Sequence, residues 1–109
     1  MQEDLISTKI NNLVKTNDIV LFMKGNAEMP LCGFSARVVA ILNHLKVEFI
    51  DINILEDESL RQGIKDYSDW PTIPQLYVKG DFIGGCDIIK NMFENGELQA
   101  LLTDKSLTS

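Results

Sequence analysis

The chain has 109 residues, 45% hydrophobic and 24% charged, a size and composition that leave room for one ordinary globular domain and no second core. Its formal net charge of −6, with the basic residues scattered, provides no basic patch for a nucleic-acid backbone. No apolar run approaches the roughly 20 residues needed to span a bilayer.

Residues 1–109 are therefore read as a single domain with its core over about 16–103. The opening MQEDLISTKINN is acidic and lacks the apolar or Arg-rich pattern of a targeting segment. The two cysteines lie far apart and suggest no staple. These features point to a reducing, cytoplasmic compartment, and an organellar protein with its leader removed would read the same way.

In chain order, Leu5, Ile6, Ile10, Leu13 and Val14 recur at helical spacing and predict a helix over Glu3–Lys15, stopped by Asn17 and Asp18. Ile19–Met23 (IVLFM) is a continuous apolar run of strand length, suited to a central strand covered on both faces. A polar loop, Gly25–Pro30, leads to Cys32. A helix over Gly33–Leu45 follows, with Val38, Val39, Ile41, Leu42 and Leu45 on its buried side. Val47–Ile52 alternates apolar and acidic residues as a second strand would. A third helix is predicted over Asp57–Tyr67, capped by Glu56 or Asp57. The segment Trp70–Pro74 carries two prolines around a short extended stretch. Gln75–Val78 and Phe82–Ile83 read as strands joined by the turn Lys79-Gly80-Asp81. Gly84-Gly85 opens a helix over Asp87–Glu94 that closes at Gly96. A short last helix covers Glu97–Leu102, with a polar, frayed tail after Thr103. The helix between the first two strands lets them run parallel, and the tight turn makes the last two antiparallel. The expected fold class is α/β, a thioredoxin-like mixed four-stranded sheet with helices on both faces.

Cys32 lies after a strand and loop and immediately before a helix. The unpaired N–H groups and macrodipole of a helix start favour negative charge, so the thiolate is favoured there. Lys24, at the end of the first strand, adds a positive charge. Ser35 sets the chemistry: in Cys32-Gly33-Phe34-Ser35 no second thiol exists to resolve a mixed disulfide internally, so the site suits retention over rapid turnover. Pro74 admits two readings, a cis bond that leaves Ile73 able to pair with an extended ligand, or a trans proline that starts a strand. Gly84-Gly85-Cys86-Asp87 fits either a carboxylate site at a helix start or a plain strand-to-helix turn. Arg61 and Lys65, four apart, share a helix face, an arrangement that is ordinarily solvated charge. His44 reads as a surface residue and Trp70 as a packing residue of its loop.

Lys24-Gly25, Met29-Pro30-Leu31-Cys32-Gly33-Phe34-Ser35, Trp70-Pro71-Thr72-Ile73-Pro74-Gln75 and Gly84-Gly85-Cys86-Asp87 stand in the order and spacing of one family. In these motifs the chain resembles the monothiol glutaredoxins of the Cys-Gly-Phe-Ser class, from about Ile19 to Leu102. The resemblance implies that glutathione lies beside Cys32. Lys24, Arg61 and Lys65 would engage its carboxylates, Ile73 its backbone beside a cis Pro74, and Cys86 and Asp87 its γ-glutamyl end, with Thr72 and Gly85 also in the glutathione site. It also implies a homodimer around one [2Fe-2S] cluster, with Cys32 and a glutathione thiolate from each half as ligands. Recipients would be apo iron–sulfur proteins, and a BolA-type protein is an alternative partner. A rival reading of the same residues is a glutathione-dependent oxidoreductase that removes glutathione from protein thiols through Cys32 alone, with a variant in which Cys86 resolves Cys32.

Overall fold

The structure, a computed structural model, describes residues 2–105. Its elements are α1 (Gln2–Thr16), β1 (Ile19–Met23), α2 (Gly33–His44), β2 (Ile50–Asn53), a 3-10 turn (Ile54–Glu56), α3 (Glu58–Ser68), β3 (Gln75–Val78), β4 (Asp81–Gly84), α4 (Cys86–Asn95) and α5 (Glu97–Asp104). The four strands form one sheet in the order β2-β1-β3-β4. β1 and β2 are parallel, Val20 opposite Ile50, while β1–β3 and β3–β4 are antiparallel. The architecture is the expected thioredoxin-like α/β fold.

The two faces of β1 explain its unbroken apolar run. Ile19, Leu21 and Met23 point into a core shared with Val38, Val39 and Leu42 of α2, Ile89 of α4 and Leu98 and Leu102 of α5. Val20 and Phe22 point the other way, into a second core built with Ile10 and Val14 of α1 and Leu60 and Ile64 of α3. Helices therefore cover both faces, and each residue of the central strands β1 and β3 is buried.

Several boundaries differ from the sequence reading. β2 begins at Ile50 instead of Val47, because it is an edge strand whose only ladder partner is the short β1. The 3-10 turn after it was not expected. Asn53 caps that turn, its side chain accepting from Leu55 N at 3.0 Å. Of the two proposed caps for α3, Asp57 holds the position and accepts from Leu60 N at 3.2 Å. The turn between β3 and β4 is two residues, Lys79 (φ 52°) and Gly80 (φ 85°), both left-handed as a tight hairpin requires. α5 continues past Thr103 to Asp104, anchored by the buried Leu102, and residues 106–109 of the expected frayed tail lie outside the described residues. No helix among the described residues is long and apolar enough to cross a membrane.

Candidate functional site

The loop after β1 is folded so that Cys32 returns to the end of the strand. Leu31 N donates to Lys24 O at 2.9 Å, and Asn26 N to Met29 O at 3.3 Å. Side chains from β2 hold the outside: Asn53 Oδ1 accepts from Gly25 N (3.0 Å) and Asp51 Oδ2 from Ala27 N (2.8 Å). Gly25 must be glycine here. Its φ is +85°, and a Cβ would lie 2.6 Å from both Leu31 N and Met29 O.

Cys32 is the N-cap residue of α2, with extended backbone (φ −147°, ψ 136°), and its carbonyl accepts from Ala36 N at 2.9 Å. Its thiol is held below the ordinary value chiefly by the Ser35 backbone N–H, against the cost of burial. The Phe34 N–H, the Lys24 charge and the Ser35 hydroxyl add smaller contributions in the same direction. No acidic residue stands in the first turn of α2 to oppose this. Ser35 is fully buried, and its Oγ accepts from Lys24 N at 3.1 Å. The hydroxyl thus ties the end of β1 to the start of α2.

The facing wall comes from α3, the loop after it and the start of α4. Arg61 and Lys65 reach in from α3. Arg61 has one long contact, 3.9 Å, to the well-exposed Glu58, and among the described residues Lys24 and Lys65 form no ion pair. The Ile73–Pro74 peptide is cis, and Ile73 lies outside the ladder, since β3 starts at Gln75. Gly85 caps α4, so the helix opens on Cys86 and Asp87. Cys86 is buried, and burial pushes its thiol up against the opposing pull of Arg37.

All the residues assigned from the sequence meet in one place. Lys24, Cys32, Arg61, Lys65, Thr72, Ile73, Pro74, Gly85, Cys86 and Asp87 line a single cleft of ≈ 450 Å³. Both cysteines are free thiols. His44 is exposed, stands edge-on to Phe93 at 5.5 Å, and lies outside the cleft lining. Trp70 packs its ring 5.8 Å from Phe82, as expected of a packing residue, and also lines the cleft. Its Nε1 is buried without a partner among the described residues.

Sequence reasoning missed Phe34, an exposed aromatic (61%) at the cleft mouth. A signal existed, because Ser35, Val38, Val39, Ile41 and Leu42 set the buried phase of α2 and Phe34 falls outside it. Gln75 stands in the Trp70–Gln75 motif, but no role for its side chain was read from the sequence.

The arrangement is an activated, accessible thiol at a helix start, in a cleft lined by the cations of Lys24, Arg61 and Lys65 and by the N-terminus of α4. It suits a small, extended, anionic thiol or disulfide ligand.

Comparison with known proteins agrees with this geometry. Residues 19–83 match the family model described as glutaredoxin. The chain is 60% identical over 97 residues to "Probable monothiol glutaredoxin 2" of Rickettsia typhi, covering 89% of this chain and 87% of that protein. It is 58% identical over 90 residues to "Monothiol glutaredoxin-S14, chloroplastic" of Arabidopsis thaliana, covering 83% of this chain and 52% of the relative. Among solved structures, that of reduced poplar apo GrxS14 superposes with a TM-score of 0.84 at 48% identity, over 95% of this chain and 96% of the other. The buckwheat glutaredoxin–glutathione complex superposes at 0.87 with 23% identity, over 99% and 96%, a likeness of fold.

Proposed function

The chain belongs to the glutaredoxin family, among the monothiol glutaredoxins, and from that membership we propose that it binds glutathione in the cleft and carries a [2Fe-2S] cluster to apo iron–sulfur proteins. Glutathione is an extended tripeptide with two carboxylates and one thiol. Lys24, Arg61 and Lys65 would take the glycyl carboxylate, and Thr72 and Ile73 would pair with the backbone. Gly85, Cys86 and Asp87 would receive the γ-glutamyl end at the start of α4. The ligand's sulfur would then lie beside Cys32. A buckwheat glutaredoxin of the same fold has been solved in complex with glutathione, which supports the choice of ligand.

The observation that carries the cluster reading is Cys32 itself, an activated, partly exposed thiol that lines the cleft where glutathione would bring a second sulfur. A [2Fe-2S] cluster takes four sulfur ligands. One chain offering Cys32 must therefore find the rest outside itself, in a second copy and in the two bound glutathiones. Such a homodimer would exchange half its ligands with free glutathione and so release its cargo readily. A BolA-type protein could replace the second copy.

The same thiol could instead remove glutathione from protein thiols. Two assays separate the readings, with the same preparation used for both. Transfer from the loaded protein to an apo-ferredoxin, followed by circular dichroism, should be complete within minutes. Turnover of a glutathionylated peptide should be slow. Fast peptide turnover without cluster transfer would favour the oxidoreductase. The site of action is proposed to be cytoplasmic, although one relative carries a chloroplastic name.

A further inference from the structure

Behind the cleft lies a polar side chain that neither the thiol chemistry nor the ligand contacts use. Gln75 is fully buried, at the first position of β3, directly after Pro74. Its Nε2 donates to Trp70 O (3.2 Å) and to Thr72 O (3.2 Å), while its Oε1 accepts from the buried Tyr77 hydroxyl at 3.2 Å. Both amide protons therefore go to the loop that forms one wall of the cleft, and the carboxamide is oriented from behind by the strand. A buried carboxamide is retained at a cost unless its groups are paired, and here each partner lies on the cleft side or sets the orientation.

Trp70 extends this connection across the cleft floor. Its backbone carbonyl is one of the two oxygens held by Gln75. Its indole edge backs Gly85: a Cβ on Gly85 would lie 3.3 Å from Trp70 Nε1 and 3.3 Å from Pro74 O. The loop backbone at Thr72–Pro74 and the start of α4 at Gly85 thus meet through Trp70, whose carbonyl Gln75 holds, beside the β3–β4 ladder that pairs Leu76 with Gly84.

We propose that Gln75 is a positioning residue of the glutathione cleft, its carboxamide fixing the Trp70–Thr72 carbonyls and thereby the spacing between the Ile73 backbone and the N-terminus of α4. This rests on the reading of the cleft as a glutathione site. Gln75 touches no ligand itself; it sets the two backbones that would grip the tripeptide from either side. Cys32, on α2, is placed by the Ser35 and Lys24 contacts and does not depend on it.

The test uses the full chain and S-methylglutathione, a probe that has the tripeptide's carboxylates but no free thiol. Calorimetry on Gln75→Met should give a Kd about tenfold weaker, the result of losing hydrogen bonds worth roughly one decade in affinity. Alkylation of Cys32 by iodoacetamide at neutral pH should stay within about twofold of the parent, since the thiol's own partners are untouched. A general loosening of the fold would move both. The chain has a single tryptophan, so its one indole ¹H–¹⁵N signal reports the loop and should shift in Gln75→Met. If Gln75→Met does not fold, Gln75→Glu serves: a protonated carboxyl restores one donor, so affinity relative to the parent should recover as pH falls. Equal affinity of parent and Gln75→Met, or of Gln75→Glu across pH, overturns the proposal. Failure of the parent itself to bind S-methylglutathione would instead remove the glutathione reading on which the proposal rests.

Discussion

Replacing Ser35 by Ala tests how the thiol is activated. The substitution removes one methyl-sized polar group from a fully buried site. It leaves Lys24 N–H without the acceptor it has at 3.1 Å. An unsatisfied buried donor costs roughly 1–3 kcal/mol, and because Lys24 is only half-buried, water can recover part of this. The expected loss in urea unfolding is therefore about 1 kcal/mol, at the lower end of that range. The thiol responds less. The largest influence lowering it is the Ser35 backbone N–H, which alanine keeps, and the hydroxyl is the smallest of the contributions. The pH midpoint of Cys32 alkylation should rise slightly and remain below the ordinary thiol value, whereas Lys24→Met should raise it further. Because folding lowers this thiol's pKa, the associated stabilisation is present above the unfolded thiol's pKa and is lost as pH falls through the folded value. Unchanged stability in Ser35→Ala, or a midpoint returning to that of an unfolded thiol, would refute this account of the site.

Gly25→Ala should be severely destabilising, by more than about 2 kcal/mol, since its Cβ would collide with backbone atoms that cannot rotate away; a melting temperature within a degree of the parent would contradict the loop geometry. Cys86, buried and with its thiol pushed up, should resist alkylation at neutral pH until the chain unfolds. Mass spectrometry after brief iodoacetamide treatment should thus find one modification, on Cys32, and two after denaturation. Equal labelling of both thiols in the native protein would show that Cys86 is more accessible than described.

Periodicity and local chemistry made most of this fold legible. The run Ile19–Met23 announced a strand buried on both faces, and the two cores on either side of β1 are its consequence. The start of α3 was legible with two candidate caps, Glu56 and Asp57, of which Asp57 satisfies the local N–H. The start of β2 was less legible, because an edge strand is defined by how far its neighbour extends, and Val47–Phe49 alternate just as Ile50–Ile52 do. At the site, the motif residues could be assigned to one place, but their supports could not. Ser35 reads from sequence as a missing thiol, and only the packing of β1 on α2 reveals it as the acceptor of Lys24 N–H. Gln75 looks like any strand residue until the carbonyls of Trp70 and Thr72 are brought against it. Both roles depend on partners that only the folded chain brings close.

Cys32 and bound glutathione are together proposed to hold a [2Fe-2S] cluster between two copies of the chain. The most direct test is anaerobic reconstitution with iron, sulfide and glutathione, recording the visible absorption spectrum and the mass in solution of the parent and of Cys32→Ser. A dimer with a glutathione-dependent [2Fe-2S] spectrum, absent from Cys32→Ser, is the expected result. A colourless monomer, or a coloured Cys32→Ser, would contradict it.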